Sequence, residues 1–169
     1  MEFFRWLFRG LNRWLMLPWF RVLGGPTPTR LGGSLLVLHC RGRRTGRVRD
    51  VPLNYAPAGA GSLWIIAGFG SATGWLHNLR ADPNVEVTLG RKRIAAVARE
   101  VTDPAERLRA IRAVCCHAGI VGYVYGFSPF RVSDARLRRV TRDVVAMRVE
   151  LAARAARTRA GSSAGSSSI

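Results

Sequence analysis

Residues 34–68, SLLVLHCRGRRTGRVRDVPLNYAPAGAGSLWIIAG, decide the fold. Three short runs rich in Leu, Val, Ile and Tyr lie within it, at Ser34–Cys40, Val48–Tyr55 and Ser62–Gly68, punctuated by Gly, Pro and Asp. Strands spaced this closely, with no helical pattern between them, predict antiparallel hairpins. A barrel or sandwich follows, not a doubly wound parallel sheet.

The chain on either side extends this reading. Val85–Leu89 continues the strand pattern, and Ile94–Val101 carries a weaker form of it. A short helix is predicted from about Gly74 to Ala81, ahead of the Asp82-Pro83-Asn84 turn. Asp103 as N-cap, Pro104 at the first position and Glu106 three residues after the cap start a longer helix that runs to about His117. A Gly/Tyr/Phe/Pro loop from Gly119 to Pro129 follows. A helical stretch around Asp134–Arg139 then leads to Val145, Met147, Val149 and Leu151, which alternate as a final strand does. At the other end, Arg5, Arg9 and Arg13 recur at every fourth position opposite Phe4, Leu7, Phe8, Leu11, Trp14 and Leu15. This amphipathic helix suits either a membrane interface or a face of its own domain. Three regions result: residues 1–22 as that helix, 23–151 as a β-rich domain, and 152–169 as an Arg/Ala then Ser/Gly tail without the apolar mass to order itself.

With 169 residues and 48% hydrophobic content, the chain is sized for one compact domain with a proper core. No apolar run reaches the roughly 18 to 20 residues of a bilayer-spanning helix. Charge is the unusual property: 27 basic against 10 acidic residues give +17, and of the basic residues only Lys92 is lysine. An anionic partner is implied, although a GC-rich coding preference explains an arginine excess equally well. Cys40, Cys115 and Cys116 form no CxxC, so neither a disulfide framework nor a zinc site is suggested, and a cytoplasmic location fits. His39 beside Cys40 and His117 beside Cys116 have poor spacing for one tetrahedral metal site.

The densest chemical signal is the turn Cys40–Arg49, with five arginines between Arg41 and Arg49. Gly42 and Gly46 permit positive φ and close approach of the backbone to an anion, and the guanidinium groups supply charge-assisted bonds. Neither a Walker loop nor a dinucleotide fingerprint is present. On these residues alone, a solvated basic hairpin tip is the favoured reading.

The order of blocks adds more. Gly42-Arg43-Arg44-Thr45-Gly46 with Arg49 and Pro52-Leu53-Asn54-Tyr55, then Ile65–Ser71, then Trp75–Pro83, resembles the deazaflavin-dependent nitroreductase family over about Leu23–Leu151. The resemblance implies a mainly β fold with flanking helices, a split β-barrel related to the FMN-binding pyridoxamine-oxidase-like barrels. It also implies the deazaflavin coenzyme F420 as hydride carrier, whose phosphodiester and oligoglutamate tail would meet the basic turn. Mapped onto this chain, Arg43, Arg44 and Arg49 would hold phosphate and tail, supported by Thr45 and the N–H groups around Gly46. Pro52 and Leu53 would line the ring, the backbone of Ala67, Gly68, Phe69, Gly70 and Ser71 would bond its polar edge, and Trp75 and Asn78 would close the site. Without the resemblance, Trp75 reads as a core aromatic and Asn78 as a cap or turn residue.

Hydride transfer needs positioning, exclusion of water and a proton or hydrogen bond, not a catalytic triad. Tyr123 and Tyr125 are the candidates for stacking on the acceptor and donating a proton, with Tyr55 a further one, and each reads equally as packing. Three positions depart from the nitroimidazole-reducing members: Gly68 and Phe69 replace Ser and Lys, and Asn54 replaces a tyrosine after Pro-Leu. A quinone-like acceptor is therefore as plausible as a nitroaromatic one. The N-terminal helix favours a lipid-soluble acceptor, and a peripheral position on the inner face of the cell membrane. Homodimers are common among relatives. The competing readings are a basic nucleic-acid-binding barrel without activity, and an FMN- or haem-binding barrel of the same fold.

Overall fold

The structure, a computed structural model, describes residues 33–68, 70–119 and 128–152. Segment 1–22, the tail from 153, Phe69, Tyr123 and Tyr125 lie outside the described residues. Six strands, β1 (Leu35–Arg41), β2 (Val48–Pro57), β3 (Ser62–Ala67), β4 (Asn84–Leu89), β5 (Lys92–Glu100) and β6 (Val145–Leu151), form a closed barrel in the order β1-β2-β3-β6-β5-β4. Every pairing is antiparallel. Helices α1 (Gly74–Ala81), α2 (Pro104–His117) and α3 (Asp134–Val140) flank it. This is the mainly β class with flanking helices expected from the sequence.

Period-two alternation sorts the side chains into two cores. Leu36, Leu38 and Cys40 of β1 turn inward with Leu63, Ile65, Val87, Met147 and Val149, and α1 adds Trp75, Leu76 and Leu79 to the same cluster. On the outer wall, Ile66, Trp64 and Ala146 are covered by Leu108, Ile111 and Cys115 of α2 and Leu137 of α3. The β5 pattern was weak in the sequence because its first residues, Lys92 and Arg93, are polar and exposed. They are in the ladder all the same, paired with Leu89 and Thr88, and Arg93 bonds Glu86 across the strands.

Two ladders are unequal. Seven residues of β2 pair with β1, from Val48 to Asn54, yet only Tyr55, Ala56 and Pro57 pair with β3. Over Val48–Asn54 the barrel wall is thus split from β3. Pro52, which has no N–H for a second ladder, sits in this one-sided portion.

Helix α2 begins as its sequence predicts: the Asp103 carboxylate accepts from the Glu106 N–H at 2.6 Å. The carboxylate of Glu106 is engaged elsewhere. It accepts from Arg148 Nε at 2.9 Å and from the Trp64 indole N–H at 3.2 Å, fastening α2 to the barrel wall. Two further arginines of α2 tie down the chain around α3. Arg107 donates to the carbonyls of Thr141, Arg142 and Val144, and Arg112 to those of Pro129 and Val132. Among the described residues, no helix is long and apolar enough to cross a membrane.

Candidate functional site

The β1–β2 hairpin tip folds on Gly42. Its N–H donates to the Arg47 carbonyl at 2.9 Å, and its own carbonyl accepts from the N–H of Thr45 at 3.2 Å and of Gly46 at 2.7 Å. Gly46 has a φ of 67°, which lets the chain reverse. The N–H groups of Thr45 and Gly46 therefore close the turn. They are not donors to an anion, as the sequence suggested, because the tightness of the turn consumes them. What the tip does present is charge: Arg41, Arg43, Arg44, Arg47 and Arg49 are exposed, and none has a carboxylate partner among the described residues. Arg49 folds back over the turn, with its Nε 3.6 Å from where a Gly42 Cβ would stand.

Helix α1 holds this tip in place. Asn78, only 9% exposed, accepts from the Arg43 backbone N–H at 3.2 Å through Oδ1 and points Nδ2 at Cys40 Sγ, 3.8 Å away. Burial pushes the Cys40 thiol above its ordinary range, against the lowering effect of the Asn78 bond and of Arg49. Both polar atoms of Asn78 thus have partners within the protein, and Thr73 and Asp82, not Asn78, cap the helix. It is a brace between the helix and the basic tip. Sequence could not show this, since its partners are 35 and 38 residues away. Trp75, one turn earlier, is 8% exposed and packed in the barrel cluster with Leu76 and Leu79.

The other mapped residues flank the split. Pro52 and Leu53 project from opposite faces of β2, as strand alternation requires: Pro52 pairs with outward Val37, Leu53 with inward Leu36. Their side chains cannot line one flat ring together, which corrects the sequence expectation. Tyr55 turns inward and packs against the barrel cluster. Asn54 donates to the Ser34 carbonyl at 3.3 Å, tying β2 to the chain before β1. Beyond Ala67, Gly70 closes a turn by donating to the Ala67 carbonyl at 3.0 Å, and Thr73 N–H and Oγ1 both bond the Gly70 carbonyl. Ser71 is exposed on this loop and Gly68 half-buried.

His39 takes a part that the sequence did not suggest. Nδ1 lies 2.7 Å from Asp50 Oδ1 and Nε2 2.7 Å from Thr88 Oγ1, so the ring bridges β2 and β4 across the outer face. A carboxylate only accepts, so Nδ1 carries a proton, and in the neutral ring the Thr88 hydroxyl donates to Nε2. Among the described residues there is no group of His, Cys, Asp or Glu fit to hold a metal. Burial, reinforced by neighbouring Cys116, pushes the Cys115 thiol up to about 11.

Residues 16–123 match the family model described as F420H2-dependent quinone reductase. The F420H2-dependent quinone reductases Rv1261c and MT1299, from two strains of Mycobacterium tuberculosis, are each 33% identical over 108 residues, covering 60% of this chain and 72% of theirs. Two solved structures share the fold. One is a candidate 5-nitroimidazole antibiotic resistance protein of Bacteroides thetaiotaomicron, with TM-score 0.51, 16% identity and coverage of 70% of this chain and 73% of its own. The other is Rv2991 of M. tuberculosis, with TM-score 0.50, 20% identity and coverage of 68% and 70%. This chain belongs to the F420H2-dependent quinone reductase family. It is an oxidoreductase, and its coenzyme is F420.

Proposed function

We propose that the chain reduces a quinone-like acceptor with a hydride from reduced F420, and that the acidic part of the coenzyme sits on the β1–β2 tip. The observation that carries the placement is the set of five exposed arginines without carboxylate partners among the described residues, braced by Asn78 beside the split in the wall. A phosphodiester and several carboxylates are the ligand chemistry such a donor set suits, because each guanidinium presents a planar fork of N–H groups. Arg43, Arg44 and Arg49 would bind these groups, with the Thr45 hydroxyl beside them. The backbone around Ala67–Ser71, across the split, would orient the ring. When bound, the reduced deazaflavin supplies the hydride. The protein's own share is to position donor and acceptor and to exclude water. Tyr123 and Tyr125 are proposed to bound the acceptor and donate a proton.

A quinone is preferred over a nitroaromatic acceptor because Asn54 is occupied in tying β2 to Ser34 and Gly68 offers no hydroxyl. Contact of segment 1–22 with the inner membrane face, and a homodimer, complete the proposal. Vesicle sedimentation with and without residues 1–17, and analytical ultracentrifugation, test them.

Fluorescence titration with oxidised F420, followed by quinone reduction with the reduced form, tests the central reading. Arg44→Ala and Arg49→Ala should each weaken coenzyme binding by about 1.5 to 3 kcal/mol, the range of charge-assisted hydrogen bonds. Wild-type affinity in both variants would remove the tip from the site. Duplex DNA binding with steep salt dependence, and no coenzyme binding, would favour the nucleic-acid reading instead.

A further inference from the structure

We propose that the segment from Ser128 to Val144, with α3 at its centre, is a docking surface for an anionic lipid bilayer. The proposal uses residues remote in sequence from the basic hairpin and does not rest on the coenzyme placement.

Charge is the first ground. Arg131, Arg136, Arg138, Arg139 and Arg142 are all exposed on this segment. Its two acids are already engaged, Asp134 with Arg112 of α2 at 2.6 Å and Asp143 with Arg142 at 3.5 Å. Arg131, Arg136, Arg138 and Arg139 are left without a carboxylate partner among the described residues. Basic residues near an anionic membrane each strengthen binding about fivefold.

Apolar exposure is the second. The described residues include three exposed large hydrophobic side chains, and two of them are here: Phe130 at 67% and Val140 at 42%. One exposed apolar side chain is ordinary, but a phenylalanine and a valine among unpaired arginines have the composition of a membrane-interface surface. Helical spacing organises it. Leu137 and Thr141, both fully buried, face the protein, whereas Arg136, Arg139 and Val140 stand at i, i+3 and i+4 on one outward face. A nucleic acid would use the arginines, and Phe130 could stack on a base, but it offers nothing to Val140.

Rigidity is the third. Phe130 lies between Pro129 and Val132, whose carbonyls both accept from Arg112, at 3.2 and 2.9 Å. Arg107 fixes the other end through the carbonyls of Thr141, Arg142 and Val144. The surface is therefore ordered before it meets a partner, and docking costs little conformational entropy.

Co-sedimentation of the full chain with vesicles tests this, comparing pure phosphatidylcholine with phosphatidylcholine containing about a third phosphatidylglycerol, at about 0.1 M salt, where charges still act over a Debye length of about 10 Å. The wild type should bind the anionic vesicles preferentially. Arg136→Glu with Arg139→Glu should reduce that binding at least about thirtyfold, whereas the same charge change at Arg91 and Lys92, on the β4–β5 turn, should cost under about threefold. Phe130→Ser should weaken vesicle binding about three- to tenfold while leaving duplex DNA binding unchanged. Thermal melts check that each variant folds, and Arg136→Gln with Arg139→Gln replaces the reversal if it does not. Equal loss in the two double reversals would reduce the effect to net charge and overturn the proposal. So would unaltered vesicle binding by Phe130→Ser, or loss of DNA binding alone on reversing Arg136 and Arg139, which would make the partner a nucleic acid.

Discussion

Replacing Asn78 by alanine should uncouple the basic tip from the rest of the barrel. The side chain accepts from the Arg43 N–H at 3.2 Å, a bond of ordinary strength, and its contact with Cys40 Sγ at 3.8 Å is weak. Removing it leaves a half-buried N–H without its partner, at a cost of about 1 to 2 kcal/mol. For a chain of this size that lowers Tm by roughly 3 to 8 °C. The effect on binding comes from order. With the brace gone, the residues around Arg43 regain backbone freedom worth about 1 kcal/mol each, and a ligand must remove it again. Fixing even one residue weakens F420 binding about fivefold. Differential scanning fluorimetry and F420 fluorescence titration at one salt concentration measure the two effects. Asn78→Leu, which fills the volume without hydrogen bonding, separates packing from bracing: it leaves the Arg43 N–H equally unpaired, so the lower Tm and the weaker affinity should both persist. Wild-type affinity in Asn78→Ala, with or without a lower Tm, would refute the view that this amide organises the site.

Gly33 and Gly46 share a φ near 68° but not their surroundings. A Cβ on Gly33 would stand 2.1 Å from the His117 carbonyl, while one on Gly46 meets nothing within 4 Å, so Gly46→Ala should cost about 1 to 2 kcal/mol by chemical denaturation and Gly33→Ala clearly more. The hydrogen bond from Arg148 holds the Glu106 carboxyl below its usual 4.5, so the stability it contributes is present above that value and is lost as pH falls through the lower folded value. Glu106→Gln should therefore be less stable than wild type by about 1 to 2 kcal/mol near pH 7, with the gap closing below about pH 4, and a gap independent of pH would contradict the assignment. With its thiol pushed up to about 11, Cys115 should resist iodoacetamide at about pH 8 until the protein is denatured, as peptide mapping would show.

The elements were legible because their signals are local. Helix α1, helix α2 and β6 have the bounds that their own residues announce, and Asp103 caps α2 as expected. Where a side chain had a choice of partners, local reading failed. Glu106 completes a capping box on paper but is drawn to Arg148 and Trp64 across the barrel wall. The Arg/Gly turn was legible as charge, yet the inward direction of the Thr45 and Gly46 N–H groups emerges only once Gly42 is placed. The two faces of Pro52-Leu53 follow from strand alternation and were within reach of the sequence. Asn78 and His39 were not, because the partners that define them are brought together only by closure of the sheet.

The one-sided stretch of β2 also bears on how the protein behaves in a crowded solution. A bare strand edge invites another chain to extend the sheet and begin a fibril. Here that edge carries Arg49 and Asp50 and, at Pro52, a residue that cannot donate to a newcomer's ladder. The same residues that leave a gap in the wall thus discourage intermolecular strand addition, and replacing Pro52 with valine would create an aggregation hazard even where the fold survives.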